Sequence, residues 1–212
     1  MSTLCRPRAV IALAITSGIS RSWSAALLSL HRNEEPETGL LLREVAQADL
    51  RMSLADGSCD VAIALGGTEA PNWVAEVLWQ EELVAALPRC SLLAARAEIT
   101  IDILRAHPIQ LWPSDVDKAF RAQFVEAGDP VAGTTAIGSF ELLALQVAAG
   151  YCVGIAPRPC IEQARAWGIV ARPLAGKPPL LSTTLLRTTQ RCFPAADRFA
   201  ERARRIAASR LS

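Results

Sequence analysis

Hydroxyl side chains placed where helices are predicted to begin are the groups of this chain that could bind a ligand. Ser139 precedes a run of apolar residues at helical spacing, so its hydroxyl is expected to accept a hydrogen bond from an unpaired backbone N–H. The first turn of a helix also carries the positive end of the helix dipole, which favours a small anion. Thr16 and Ser17 bring hydroxyls to the end of another apolar run. Each hydroxyl alone is better explained as a cap or turn residue, but together they predict a carboxylate site.

Other candidate binding groups lie at predicted strand ends. Trp112 and Phe140 offer flat apolar surface for a ring or chain, and core packing accounts for them equally well. Gln47 follows a predicted strand and brings an amide to the same edge of the sheet. Arg21 and Arg43 could pair with an anionic effector, although a solvated charge near a helix or strand end is the more common case. Glu44 could bond a ligand or cap the helix after it.

Catalytic and metal-binding patterns are absent from the sequence. It contains no Gly-x-Ser-x-Gly, P-loop, GxGxxG or HExxH motif. His31 and His107 lie far apart, and the six cysteines form no CxxC pair, so neither a metal site nor a cofactor is expected. Cys152 is the nearest candidate nucleophile, but its position inside an apolar run predicts an inert thiol. We therefore expect no enzyme activity.

Length, composition and charge narrow the class of protein further. The 212 residues are 51% hydrophobic and 20% charged, which is typical of a soluble globular protein with one large or two small domains. A net charge of +1 argues against a nucleic-acid surface, because such domains usually carry a clear basic excess. The apolar run 10–15 after Arg6 and Arg8 resembles a short signal peptide, but the ordered pattern that follows favours a buried first strand.

Alternation of short apolar runs with helical patterns predicts an α/β fold. The first part of the chain reads β-α-β-α-β, the start of a doubly wound domain. The predicted strands are 10–15, 39–44, 60–65, 73–80, 83–87, 109–112, 131–137, 151–156 and 180–187. The predicted helices are 22–31, 48–55, 100–104, 115–126, one that runs from Ser139 to a terminating Gly150, 159–167 and 195–208, with an irregular segment at 88–97.

The pattern VAAGYCVGIAP at 147–157 resembles the most recognisable signature of the effector-binding domain of LysR-type transcriptional regulators. Blocks elsewhere follow the same family order: LLRE at 41–44, DGSCDVAI at 56–63, ELVAALP at 82–88 and the segment 104–112. The resemblance extends from about residue 9 to the end of the chain. The segment 88–94 departs from it, because SLLA stands at 91–94 where the family often has His-Pro-Leu-Ala.

The resemblance implies a two-lobed, periplasmic-binding-protein-like fold, in which each lobe is a mixed sheet flanked by helices and two crossing strands join the lobes. We expect 1–84 with 186–212 to form the first lobe and 85–185 the second. A small effector, expected to be a carboxylate, would bind in the interlobe cleft through Thr16, Ser17, Gln47, Trp112, Ser139 and Phe140. The family further implies a cytoplasmic dimer or tetramer that reaches DNA through an N-terminal helix-turn-helix, which this sequence is not expected to contain.

Two alternatives from other classes remain open at this point. The first is an exported solute-binding protein of a transport system, which would lose about the first 20 residues as a signal peptide. The second is an enzyme on the same two-lobed fold, which would need paired carboxylates or a covalent nucleophile in the cleft. The sequence does not identify the effector or the target genes.

Overall fold

A computed structural model describes residues 9–66, 72–112, 137–189 and 193–209. The chain divides into a first unit, Met1–Trp79 with Ser182–Ser212, and a second unit, Gln80–Leu181. The boundaries predicted from the sequence lie a few residues further along the chain and stay a prediction. Among the described residues, no helix is long and apolar enough to cross a membrane.

The described strands and helices alternate along much of the chain, as the sequence pattern predicts. The strands are β1 (Ala9–Ile15), β2 (Thr38–Glu44), β3 (Val61–Leu65), β4 (Trp73–Pro88), β5 (Ile109–Leu111), β6 (Val153–Pro157), β7 (Ile169–Arg172) and β8 (Leu180–Thr188). The helices are α1 (Arg21–Glu34), α2 (Leu50–Ala55), α3 (Ile101–Arg105), α4 (Phe140–Ala148), α5 (Arg158–Gln163) and α6 (Pro194–Ser209).

The first unit is a mixed sheet in the order β2-β1-β3-β8-β4. β1 pairs in parallel with both β2 and β3, so that Ile15 lies opposite Glu44 on one side and Ile63 on the other. β8 joins β3 in the antiparallel direction. The carboxyl ends of β1, β2 and β3 therefore meet at one edge of the sheet, where binding groups are expected in α/β folds.

Helices bury apolar side chains on both faces of this sheet. On one face, Leu27 of α1 and Phe199 of α6 pack with Leu13 and Ile63 in a cluster whose members are buried. On the other face, α2 contributes Leu50 and Leu54. The spacing of apolar residues in each helix therefore produces the core that fixes the strand ends.

Ion pairs tie α6 to the end of α1. Arg198 and Arg202 of α6 bind Glu35, which directly follows α1, and Arg202 and Arg205 bind Glu34. The Arg198 guanidinium, which donates to Glu35, contributes most to holding the pKa of that carboxyl at about 2. Hydrogen bonding from Arg205 likewise lowers the pKa of Glu34. The end of α1 therefore depends on carboxylates that stay ionised well into acid.

The second unit has the strand order β7-β4-β6-β5. β5 and β6 are parallel, whereas β4 is antiparallel to both β6 and β7. α4 packs on this sheet through buried Leu143 and Val147. A Cβ added at Gly154 of β6 would lie 2.9 Å from Val147 Cγ2 and 3.2 Å from Ala86 Cβ. Glycine at this position therefore lets α4 lie close against the sheet.

Most elements confirm the sequence prediction, with three corrections. The strands predicted at 73–80 and 83–87 are one continuous strand, β4, because Glu81 does not interrupt it and is itself only 3% exposed. The helix predicted at 159–167 ends at Gln163, and a 3₁₀ turn, Arg165–Trp167, follows before Gly168 adopts a positive φ. Strand β7 was not predicted. The predicted helix 115–126 lies outside the described residues, as does the predicted strand 131–137 except for its last residue.

Candidate ligand-binding site

The first-unit candidates lie at the carboxyl ends of its parallel strands, as predicted. Thr16 directly follows β1 and donates its backbone N–H to Ile63 O at 3.1 Å. Gln47, in the connection after β2, donates from Nε2 to Leu65 O at 2.9 Å. Because β1 lies between β2 and β3, the Gln47 amide links the ends of the outer two strands. Ser17 is exposed.

Buried hydroxyls without hydrogen-bond partners in the described part of the chain occur near this strand edge, on both faces of the sheet. They are Thr16 Oγ1, Thr183 Oγ1 and Thr184 Oγ1. Thr183 and Thr184 lie on β8 opposite Leu65 and Ala64 of β3, and each of the three residues is no more than 3% exposed. A buried polar group left unpaired costs about 1–3 kcal/mol, so three of them close to one strand end need an explanation. The sequence pattern indicates Thr16 but not Thr183 and Thr184, because the pairing of these two residues with β3 is not visible in the local pattern.

The N-terminus of α1 also lacks a side-chain cap. Ser20 occupies the cap position, but its side chain accepts no hydrogen bond from the helix. Its Oγ lies instead 3.1 Å from Ser22 Oγ. The first turn of α1 contains no acidic residue. The positive end of the helix dipole is therefore not offset by a side chain of the first turn.

In the second unit, the predicted cap of α4 is confirmed. Ser139 has extended backbone angles, and its Oγ accepts a hydrogen bond from Leu142 N at 3.2 Å. Gly150 has φ +79°, the left-handed conformation predicted for the residue that ends this helix. Glu141 lies in the first turn. The Ser139 hydroxyl still has a proton to donate, although its acceptor role towards the helix is filled.

Trp112 and Phe140 lie together, mainly as core residues. Their ring centroids are 5.3 Å apart, and Phe140 also lies 6.2 Å from Trp167. Trp112 is 7% exposed and Phe140 is 6% exposed. The structure therefore favours the core-packing interpretation for both residues, of which only a small part remains accessible.

A charge pair missed by the sequence analysis lies at the same strand edge of the second unit. Arg158 follows the last residue of β6, which is parallel to β5 and ends at the same edge as Trp112. It donates to Glu82 Oε2 from Nε at 3.0 Å and from Nη2 at 2.7 Å. The position of Arg158 after a predicted apolar strand could have identified it, but its partner could not be known from the sequence.

The metal-binding and nucleophilic candidates of the sequence can be located in the structure. No cluster of three or more His, Cys, Asp or Glu residues that could hold a metal ion occurs in the described ranges. Burial raises the pKa of the Cys152 thiol to about 11, so this candidate nucleophile stays protonated at neutral pH.

Comparison with known proteins agrees with this geometry. A family model described as the LysR substrate binding domain matches residues 6–208. The chain therefore belongs to the family of LysR substrate-binding domains, and its fold is the periplasmic-binding-protein-like fold of LysR effector-binding domains. A search of curated proteins finds no match.

Solved structures of regulators share the fold at low sequence identity. The effector-binding domain of BenM with its effector benzoate superposes with a TM-score of 0.80 at 16% identity, covering 96% of this chain and 94% of that chain. Reduced OxyR from N. meningitidis gives 0.76 at 18% identity, covering 94% of both chains. Full-length CbnR in complex with its target DNA gives 0.77 at 20% identity, covering 94% of this chain and 68% of that chain.

Proposed function

We propose that this chain is the co-inducer-sensing domain of a LysR-type transcriptional regulator and that it binds a small anionic metabolite in the interlobe cleft. Thr16, Ser17 and Gln47 would contribute from the first unit. Ser139, with the accessible parts of Trp112 and Phe140, would contribute from the second. The proposal rests on membership of the family and on the polar groups that each unit presents at its strand ends.

The observation that carries the proposal is that the first unit has polar groups without hydrogen-bond partners among the described residues. Thr16 has a buried hydroxyl without a partner in the described part of the chain, and α1 begins nearby with no side-chain cap. A bound carboxylate would accept hydrogen bonds from the hydroxyl and from the first N–H groups of α1. Ligand binding would thus satisfy groups whose isolation otherwise costs stability.

A carboxylate is the proposed effector class because the candidate groups are hydrogen-bond donors. The benzoate of BenM is an aromatic carboxylate, but that ligand is stated of BenM alone. In this chain, the hydroxyls and helix N-termini suit the carboxylate group, and the accessible parts of Trp112 and Phe140 suit a small apolar body. Arg158 already forms an ion pair with Glu82, which reduces the positive charge that it would offer to an anionic effector.

The proposed setting is that of the regulators of this family. We propose that the domain acts in the cytoplasm, assembles as a dimer or tetramer, and influences DNA binding through an N-terminal helix-turn-helix domain rather than through its own surface. The helices predicted from the sequence at 22–31 and 161–167 are the proposed contacts between copies. Sensing, rather than catalysis, is the proposed role, because Cys152 has the raised pKa of an inert thiol.

The experiment is a thermal-shift screen of small carboxylates, each paired with its uncharged amide, followed by calorimetry of the compounds that bind. We expect a carboxylate to raise the melting temperature and its amide to have no effect. Ser17→Ala should weaken binding of that carboxylate roughly tenfold or more, the equivalent of about 1.5–3 kcal/mol for a charge-assisted bond. Ser209→Ala, at the exposed end of α6, is the matched control and should bind like the parent. Equal binding of acids and amides would contradict the proposal.

A further inference from the structure

A cavity of about 290 Å³ lies within the second unit, and nothing in the proposed function uses it. Its walls come from the end of β4, the following loop, the segment before β5, the end of α4 and the start of β6. Most of the lining is apolar, including Leu87, Leu93, Pro108, Ala148 and Val153. This volume is just below the range of about 300–1,000 Å³ typical of small-molecule sites and suits a molecule of one or two rings.

The cavity is separate from the candidate effector groups of the same unit. β5 and β6 are parallel, and the cavity lies where they begin, whereas Trp112 lies where β5 ends. α4 runs between the two places: Ser139 caps its first turn, and Ala148 at its other end lines the cavity. A helix of nine residues spans about 13 Å, so one ligand of this size could not occupy both places.

The polar side chains that line the cavity are few. No Asp, Glu, Lys or Arg side chain is among the lining residues. Ser91 accepts a hydrogen bond from Leu93 N at 3.2 Å, whereas the exposed side chains of His107 and Tyr151 have no hydrogen-bond partner in the described part of the chain. Cys152 is 7% exposed, and burial raises the pKa of its thiol to about 11. Two groups, the His107 imidazole and the Tyr151 hydroxyl, thus remain for a ligand.

The C-terminus of α4 disfavours the binding of an anion in this cavity. Ala148 and Ala149 are at the C-terminus of the helix, where the dipole is negative and backbone carbonyls point outwards. A carboxylate placed here would lose its hydration with no Lys or Arg side chain in the lining to offset the loss. A neutral molecule with one hydroxyl or N–H group would instead bury its ring on the apolar wall.

We propose that this cavity is a second small-molecule site, which takes an uncharged aromatic molecule with a single hydrogen-bonding group. Phenol is the probe, and benzoate is the charged comparison of the same ring size. Titration of the isotope-labelled chain, followed by NMR of the amides of Ala148, Gly150, Tyr151 and Val153, reports on this site alone. Phenol should shift these amides saturably, and benzoate should do so at least tenfold more weakly.

Variants that fill the cavity test its location. Ala149→Phe places a ring at the exposed end of α4 and should weaken phenol binding at least tenfold, while Ala55→Phe, at the exposed end of α2, should leave it unchanged. Leu93→Phe fills the cavity from another wall and serves as a second test if Ala149→Phe melts early. His107→Ala should weaken binding severalfold by removing a hydrogen-bond partner.

Several results would overturn the proposal. They are the absence of saturable shifts with phenol, benzoate shifts at equal concentration, and unchanged phenol binding in a folded Ala149→Phe or Leu93→Phe variant. The result of the thermal-shift screen of small carboxylates does not depend on the result of the phenol titration. A chain that binds carboxylates but not phenol retains the proposed sensing function, and one that binds only phenol at these amides retains only the second site.

Discussion

α1 and α4 both begin after a serine, but the two units hold these helices differently. In the first unit, Ser20 leaves α1 uncapped, and ion pairs with α6 hold the far end of the helix. In the second unit, Ser139 caps α4, and the close approach allowed by Gly154 seats the helix on the sheet. The same residue type at a helix start therefore caps the helix in one unit and does not cap it in the other. Backbone N–H groups without a side-chain cap are groups that a ligand can stabilise.

The largest effect is expected where α4 packs on the sheet. Gly154→Val would drive its side chain into Val147, Leu143 and Ala86, all within 3.2 Å of the position of an added Cβ. Overpacking of this kind should lower the free energy of unfolding by about 3 kcal/mol. Denaturant unfolding monitored by fluorescence measures the loss. Gly138→Val, in open space before the helix, is the control and should change stability far less. Equal stability of the two variants would show that packing does not seat α4.

Thr16→Val separates binding from stability in the first unit. The two side chains have nearly the same shape, and the substitution removes a buried hydroxyl that has no partner in the described ranges. The free energy of unfolding without ligand should stay the same or rise by about 1 kcal/mol. Affinity for the carboxylate found in the screen should fall by about 1.5–3 kcal/mol, roughly tenfold or more. Chemical denaturation and calorimetry on the same variant measure both. Lower stability with unchanged affinity would assign Thr16 a purely structural role.

Ser139→Ala tests whether the capped helix also contributes to binding. Loss of the cap should lower the free energy of unfolding by about 1 kcal/mol, because Leu142 N loses its acceptor. If the remaining hydroxyl proton binds the effector, affinity should fall by more than this, about 1.5–3 kcal/mol. Thr100→Ala removes the equivalent cap of α3 and is the matched control for the effect on the fold. A lower melting temperature in both variants, with parental affinity in both, would limit Ser139 to capping.

The sequence predicts local features of this protein better than features that depend on pairing. The Ser139 cap and the terminating Gly150 follow from residue type and spacing within one segment, and both are confirmed. The continuity of β4 was missed because Glu81 and Glu82 look like a break, although the strand runs through both residues and Glu81 is buried in it. Strand β7 has only four residues, too few for an alternation of apolar and polar side chains to be recognised.

For the candidate site, too, the sequence predicts local features but not those that depend on distant residues. That Thr16, Gln47 and Ser139 lie at strand ends or helix starts follows from the order of elements. Whether a hydroxyl is satisfied depends on residues distant in the sequence. The partnerless state of Thr183 and Thr184 and the pairing of Arg158 with Glu82 are visible only in three dimensions. The sequence therefore indicates where binding groups lie, and the structure shows which of them are already occupied.

Acidification should have the smallest effect on stability. It should destabilise the first unit, where ion pairs hold α1, before the second unit, where packing holds α4. The pKa of Glu35 is lowered from an ordinary 4.5 to about 2, mainly by hydrogen bonding from Arg198. Because the folded-state pKa lies below the ordinary value, ionised Glu35 contributes its full stability above about pH 4.5. That contribution is lost as the pH falls towards 2. α4 has no such carboxylate among the residues that seat it against β6. Hydrogen exchange should therefore show α1 and α6 losing protection before α4 over this range.

Glu35→Gln identifies the cause of this acid sensitivity. The variant should be less stable than the parent near neutral pH, since Arg198 and Arg202 lose a charged partner. Its stability should also change less between pH 4.5 and 2, because the titrating carboxylate is gone. Glu162→Gln, an exposed carboxylate of the second unit, is the control and should keep the parental pH profile. If α1, α6 and α4 lose protection together in the parent, or if Glu35→Gln keeps the parental slope, these ion pairs do not hold the end of α1. The two units would then depend on apolar packing alone to hold their helices.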